Sequence, residues 1–177
     1  AYDVLSQNMV EGELSPNVPN FNNKSFTFDG STDYIQSVAS PYSELDGQNK
    51  ATFSMWVKPT LSANTFALYV PSSPSARAYT IVFYTTGMIR HQINASGTYT
   101  TTNTGVLTAN VWQHILVCVD LSLALSLKGK IFVNGIDVTS GNNLNRTTYT
   151  LSSGELQLSG RDEANPLYYE GLMDEVA

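Results

Sequence analysis

The chain has 177 residues, 24 of them charged, with a net charge of −6 and a pI near 4.7: enough to bury one substantial core, too short for two ordinary domains. Ser, Thr and Asn supply 52 residues and no basic run occurs, so nothing is present to neutralise a phosphate backbone or an anionic leaflet, which excludes nucleic acid partners. Membrane insertion is excluded on length, because the longest near-apolar windows, 115–119 and 121–127, fall well short of the roughly 20 residues of a helical span.

Residues 1–22, with Pro16 and Pro19, read as an arm, in which 6–14 suits one helical turn capped by Ser6. Beyond it the signal has period two: β-branched and aromatic residues in short runs bounded by Gly, Pro, Asn, Asp and Ser. Strands are expected at 25–28 and 34–38. In 52–58, Phe53, Met55 and Val57 alternate with Ser54, Trp56 and Lys58, and Pro59 ends the ladder because it has no N–H to donate. A strand at 65–70 precedes a hairpin of 78–84 and 88–93 around Thr85-Thr86-Gly87, with glycine supplying positive φ. Further strands fall at 97–102 and 113–120. The latter contains the single cysteine, Cys118, which rules out an intrachain disulfide or a thiolate metal cluster and reads as a small buried hydrophobe. Asn134-Gly135 between 130–133 and 136–138 is the strongest hairpin signal, since a type I′ turn needs two left-handed residues. Strands at 155–158 and 172–176 complete the set. Such a series predicts an all-β, two-sheet antiparallel jelly-roll sandwich with almost no helix. Its expected core includes Phe28, Phe53, Met55, Val57, Ile115, Val117 and Val133.

Four segments carry a resemblance: 26–35 (Phe-Thr-Phe-Asp-Gly-Ser-Thr-Asp-Tyr-Ile), 52–59, 112–120 with 130–135, and 169–177 (Tyr-Glu-Gly-Leu-Met-Asp-Glu-Val-Ala). In order along the chain, they resemble the blocks of laminin-G-like, concanavalin A-like jelly-roll domains of the lectin/glucanase superfamily. The resemblance implies a domain over 23–177. The family pattern runs on past Asp-Glu-Val-Ala, so more of the domain is expected after Ala177, or another chain covering its end. The arm segment 5–14 is similar to segments that precede this domain in structural proteins of marine tailed phages. Domains of this kind are mostly noncatalytic modules for glycan binding, adhesion or assembly, although the wider fold includes glucanases.

The glucanase signature Glu-x-Asp-x-x-Glu is absent from the sequence; Glu170, Asp174 and Glu175 have the wrong spacing for a retaining carboxylate pair. No enzyme is expected. His91 and His114 lack catalytic partners and read as hydrogen-bonded structural residues, while Trp56 and Trp112, in strand blocks of the family pattern, read as core. Asp29, Asp33, Asp174 and Glu175 are hard oxygen donors. If the first and last strands lie side by side, these acids gather at one edge and suit a structural Ca²⁺. In the favoured alternative, Asp29 closes an Asx turn while Asp174 or Glu175 accepts backbone N–H at a strand end. Tyr42, Tyr99, Tyr149, Tyr168 and Tyr169 lie in or beside Ser/Thr/Asn-rich connections. Their rings either stack on the apolar face of a sugar or cover a strand edge or a subunit interface.

The expected function is a noncatalytic lectin-like module on a virion surface, as a phage structural or decoration protein, serving assembly or attachment to host glycans. Its partners are then other virion or surface proteins, further copies of itself, and cell-surface glycans. The alternative is a carbohydrate-binding or adhesion module of a bacterial surface protein or secreted enzyme.

Overall fold

Alternation of apolar and polar residues becomes alternation of burial. The computed structural model describes residues 4–7, 14–15, 25–37, 46–73, 76–93, 98–149, 156–160 and 167–177. Along β5 (Lys50–Pro59), Phe53, Met55 and Val57 are buried while Ser54, Trp56 and Lys58 are half-buried on the other side. In β10 (Gln113–Asp120), Ile115, Val117 and Val119 turn inward in the same way. The pleat sends successive Cβ atoms to opposite faces, so one apolar set per strand suffices to build a two-layer core.

Strands are numbered in chain order. An eight-stranded sheet runs β1 (Val4–Gln7), β4 (Tyr34–Ser37), β14 (Gln157–Leu158), β6 (Thr65–Ser73), β7 (Ala76–Phe83), β8 (Ile89–Ile93), β9 (Tyr99–Thr102), β13 (Thr139–Asn142). A seven-stranded sheet runs β12 (Ile136–Asp137), β11 (Gly129–Val133), β10, β5, β15 (Glu170–Asp174), β3 (Ser25–Asp29), β2 (Leu14–Ser15). Neighbouring strands pair antiparallel throughout. This is the expected two-sheet sandwich. All seven expected core residues are buried between the sheets, joined by Phe83, Ile89, Ile131 and Leu144.

The two hairpins form where the turn residues stand. Asn134 and Gly135 have φ of 51° and 80°, the double left-handed geometry of a type I′ turn. Gly87 has φ 72° and donates its N–H to the Tyr84 carbonyl at 2.8 Å.

Other expectations are corrected. Residues of the arm belong to the sheets: Val4–Gln7 pairs with Tyr34–Ser37, and Leu14–Ser15 pairs with Ser25 and Phe26. Ser6 therefore sits in a strand rather than capping a helical turn. Trp56 lies on the outward side of β5, and Trp112, just before β10, is half-buried. Neither is core, because Trp56 alternates with the inward set and a strand has only two sides. Cys118 is half-buried and outward between Val117 and Val119 for the same reason. The strand expected at 172–176 ends at Asp174, opposite Trp56, and pairing resumes where Ala177 and Ser54 exchange hydrogen bonds of 2.9 and 2.8 Å. Glu175 and Val176 thus face the single residue Met55. Glu175, at φ 47°, makes this a β-bulge.

Candidate functional site

The outward side of the eight-stranded sheet carries the most suggestive arrangement of side chains. In β8, Ile89, His91 and Ile93 point inward, which leaves Arg90 and Gln92 outward. The ladder pairs Arg90 with Val82 on one side and Thr101 on the other, and pairs Gln92 with Tyr99. Tyr84, two residues beyond Val82, and Tyr99 are therefore diagonal neighbours of Arg90 from opposite flanks, a separation long aromatic side chains bridge. The Arg90 Cζ stands 5.1 Å from the Tyr84 ring centroid and 4.9 Å from that of Tyr99. Both fall within the distance at which a guanidinium is attracted to the negative face of a ring.

Tyr84 is itself anchored. A β-bulge between Phe66 and Leu68 turns Ala67 and Leu68 to the core, and the Phe66 and Tyr69 rings pack 5.4 Å apart in a second apolar cluster with Val82. Tyr84 and Leu167 pack against that cluster. Gly160 crosses over it so closely that a Cβ there would stand 2.4 Å from the Phe66 Cβ, an approach only glycine permits. The Arg90 Nε is buried without a hydrogen-bond partner. The residue is half-buried, and among the described residues no carboxylate pairs with this guanidinium.

The other outward face is arranged differently. Trp56, Leu116 and Phe132 form an apolar stripe, and Ser54 Oγ and His114 Nε2 share a hydrogen bond of 2.8 Å beside it. The Trp56 and His114 rings lie 5.3 Å apart. A groove of about 550 Å³ is lined by Lys50, Thr52, Cys118, Leu127 and Lys130 among others. Two of its lysines are taken: Lys50 pairs with Asp120 at 3.0 Å and Lys130 with Asp137 at 2.9 Å. Hydrogen bonds from Thr139, with Lys130 alongside, hold the Asp137 carboxyl down at about 2.

Of the described tyrosines singled out in the sequence, Tyr99 alone enters the outward site. Tyr168 is half-buried two residues before β15. Tyr42 lies outside the described residues. Tyr149 and Tyr169 are corrected from ligand platforms to core: they are 1% and 0% exposed. Tyr169 packs edge-on against Phe28 and Phe83 at 5.8 and 6.1 Å and donates its hydroxyl to the Leu172 carbonyl at 3.0 Å. Burial pushes both phenols far above the usual tyrosine range.

The acidic set does not gather. Strands β3 and β15 do lie side by side, but their register puts Asp29 opposite Glu170 and Phe26 opposite Met173. Asp174 is consequently four residues further along, about 13 Å from the Asp29 end at ~3.3 Å per residue. Among the described residues no cluster of three acids, histidines or cysteines suits a metal. Asp29 closes the turn instead, its carboxylate accepting the Ser31, Thr32 and Asp33 amides and the Ser31 and Thr32 hydroxyls at 2.7–3.1 Å. Desolvation pushes this carboxyl upward, but those donors together outweigh it and hold the group far below the carboxylate range. Asp33 accepts the Asp29 amide at 3.1 Å, and Asp174 accepts the Glu175 amide at 2.9 Å.

His91 departs from its expected hydrogen-bonded state. It is 0% exposed, 4.8 Å from the Tyr79 ring, and neither ring nitrogen has a partner among the described residues. Burial lowers its pKa from 6.5 to about 3. Tyr84 and Arg90 are the site residues that sequence reading missed. The alternation Ile89, His91, Ile93 marks Arg90 as outward, but no local signal pairs it with two rings from other strands.

A family model described as the concanavalin A-like lectin/glucanases superfamily matches residues 29–177. No curated protein sequence matches the chain. Among solved structures, domain 4 of AbnA, a GH43 extracellular arabinanase from Geobacillus stearothermophilus, in complex with arabinotriose, is similar at 20% identity and a TM-score of 0.63. The match covers 92% of this chain and 72% of that one. The Ruminococcus gnavus IT-sialidase CBM40 bound to α2,3-sialyllactose is similar at 14% identity and a TM-score of 0.58, over 76% and 78% of the two chains. Domains LG4-5 of the mouse laminin α1 chain are similar at 14% and 0.59, over 86% of this chain and 40% of that one. At these identities the likeness is one of fold.

Proposed function

The chain belongs to the concanavalin A-like lectin/glucanase superfamily, and from that premise we propose a noncatalytic, lectin-like module that holds a glycan on the outward face of β6–β9. The observation that carries this reading is the Tyr84–Arg90–Tyr99 stack. A ring packed against an ordered cation keeps one orientation and loses little freedom when a sugar packs beside it, which lowers the cost of binding. Gln92 and Thr101, half-buried beside the stack, bring an amide and a hydroxyl within the same patch. The absent Glu-x-Asp-x-x-Glu signature supports a binding rather than a hydrolytic role, and the arabinotriose and sialyllactose complexes of the two bacterial modules are consistent with glycan as ligand.

The finer reading is display on a virion surface, where the module attaches to host glycans or to neighbouring virion proteins. It rests on the resemblance of segment 5–14 to phage structural proteins and on the acidic, disulfide-free, Ser/Thr/Asn-rich composition. A glycan array probed with the labelled protein tests the core proposal: at least one glycan is bound, and Tyr99→Ala weakens it by about tenfold or more. Binding of no glycan, or binding indifferent to Tyr99, overturns it. Turnover of β-glucans or alginates, abolished by one acid-to-amide change, would overturn the noncatalytic role. Mass spectrometry of particles purified from the source tests the virion reading.

A further inference from the structure

Building on the glycan reading of this face, we propose that Arg90 makes the site selective for sugars that carry a carboxylate, such as uronates or sialates. The chain has nine Lys and Arg against fifteen Asp and Glu, so an unpaired cation has no lack of acids to choose from. Lys50 and Lys130 have each taken one, at 3.0 and 2.9 Å. Arg90 has none among the described residues. It lies instead over the rings of Tyr84 and Tyr99, contacts that restrain the guanidinium without using its N–H groups.

That distinction sets the chemistry. A guanidinium stacked between two rings keeps its in-plane donors free, and those donors match the two oxygens of a carboxylate as a fork. Here the Nε is buried without a partner while the residue as a whole is half-buried, so the Nη edge is the one left to meet an incoming anion end-on. The stack removes most of the side chain's rotamer freedom before binding, so little of it remains to be lost when the ladder of two N–H···O bonds forms. The described outward neighbours, Val82 and Thr101 across the ladder and Gln92 two residues along the same strand, contribute no negative charge to repel the ligand. A neutral sugar on the same rings would leave the open donors of Arg90 to water. A carboxylate-bearing sugar would satisfy them with charge-assisted bonds, which are the stronger kind.

The test is an array carrying uronate-bearing, sialylated, sulfated and neutral forms of the same oligosaccharide cores, probed with wild type, Arg90→Gln, Arg90→Lys and Tyr99→Ala, each checked for unchanged thermal unfolding. Wild type should bind a carboxylate-bearing member about tenfold or more tighter than its neutral counterpart, with the difference shrinking as salt is raised. Arg90→Gln should erase the preference, bringing acidic and neutral members to the same affinity; Arg90→Lys should retain only part of it, because an ammonium lacks the fork. Tyr99→Ala should weaken neutral and acidic members alike. Equal binding of neutral and acidic forms, a preference that survives Arg90→Gln, or a preference for sulfate esters over carboxylates would each overturn the proposal while leaving the glycan reading standing. Failure to bind any member overturns both.

Discussion

The two outward faces of this sandwich use the same alternating pleat to opposite ends. On the seven-stranded sheet, polar groups find partners within the protein: Ser54 with His114, Lys50 with Asp120, Lys130 with Asp137, around the apolar stripe of Trp56, Leu116 and Phe132. On the eight-stranded sheet Arg90 lies over the Tyr84 and Tyr99 rings and has no carboxylate partner among the described residues. A charge already bonded to its neighbour must give up that bond to bind anything else, whereas one oriented by stacking has its donors available. The difference therefore separates a face closed on itself from one prepared for an anion.

The largest effect tests the alternation on which the comparison rests. Val117→Asp places a carboxylate in the core, where an unpaired charge costs several kcal/mol, and should abolish folding; Leu116→Asp, one residue away and outward, should leave a folded protein. Soluble expression and urea unfolding distinguish the two. A cooperatively folding Val117→Asp variant would show that the inner and outer faces are misassigned.

Next in size is acid sensitivity, which sits directly behind the proposed site because His91 lies between Arg90 and Gln92. Burial holds the folded-state pKa near 3 against 6.5 for the exposed group, so below pH 6.5 the unfolded chain takes up the proton first. Stability should be full above about pH 6.5 and fall as pH drops toward 3, by up to about 1.4 kcal/mol per pH unit. Asp29, Asp120 and Asp137, whose pKa values lie below 3.8, contribute only at the acid end of that window. His91→Leu should flatten the slope between pH 6 and 4 in urea unfolding; an unchanged slope would mean another group governs it. Binding at acid pH must be read against this loss.

Smaller again is Gly135→Val at the edge of the seven-stranded sheet. It should cost about 1–3 kcal/mol, because a β-branched residue resists positive φ, and unchanged stability would exclude the type I′ turn. The smallest effect sharpens the contrast between faces: Ser54→Ala should leave glycan binding within error of wild type while altering stability by about 1 kcal/mol at most. A loss of binding there would move the site to the seven-stranded face.

Much of this was legible in one dimension. Period-two runs gave β5, β8 and β10 their inner and outer residues, Pro59 marked the end of β5, and Asn134-Gly135 and Thr85-Thr86-Gly87 marked their hairpins, because each depends on torsions and neighbours within a few residues. The same local logic was enough for the two-sheet architecture and for the seven core residues. It failed wherever the answer lay across strands. Tyr149 and Tyr169 flank polar connections in sequence yet end in the core, the arm supplies edge strands to both sheets, and Asp174 lies at the far end of the ladder from Asp29. Arg90 between Tyr84 and Tyr99 is of the same kind: the alternation of β8 turns the arginine outward, but which rings it meets is fixed by the registers of β7–β8 and β8–β9. A strand's two faces are decided by its own sequence, while the partner opposite each residue is decided by how separate strands align, and a site built across three strands exists only once that alignment is made.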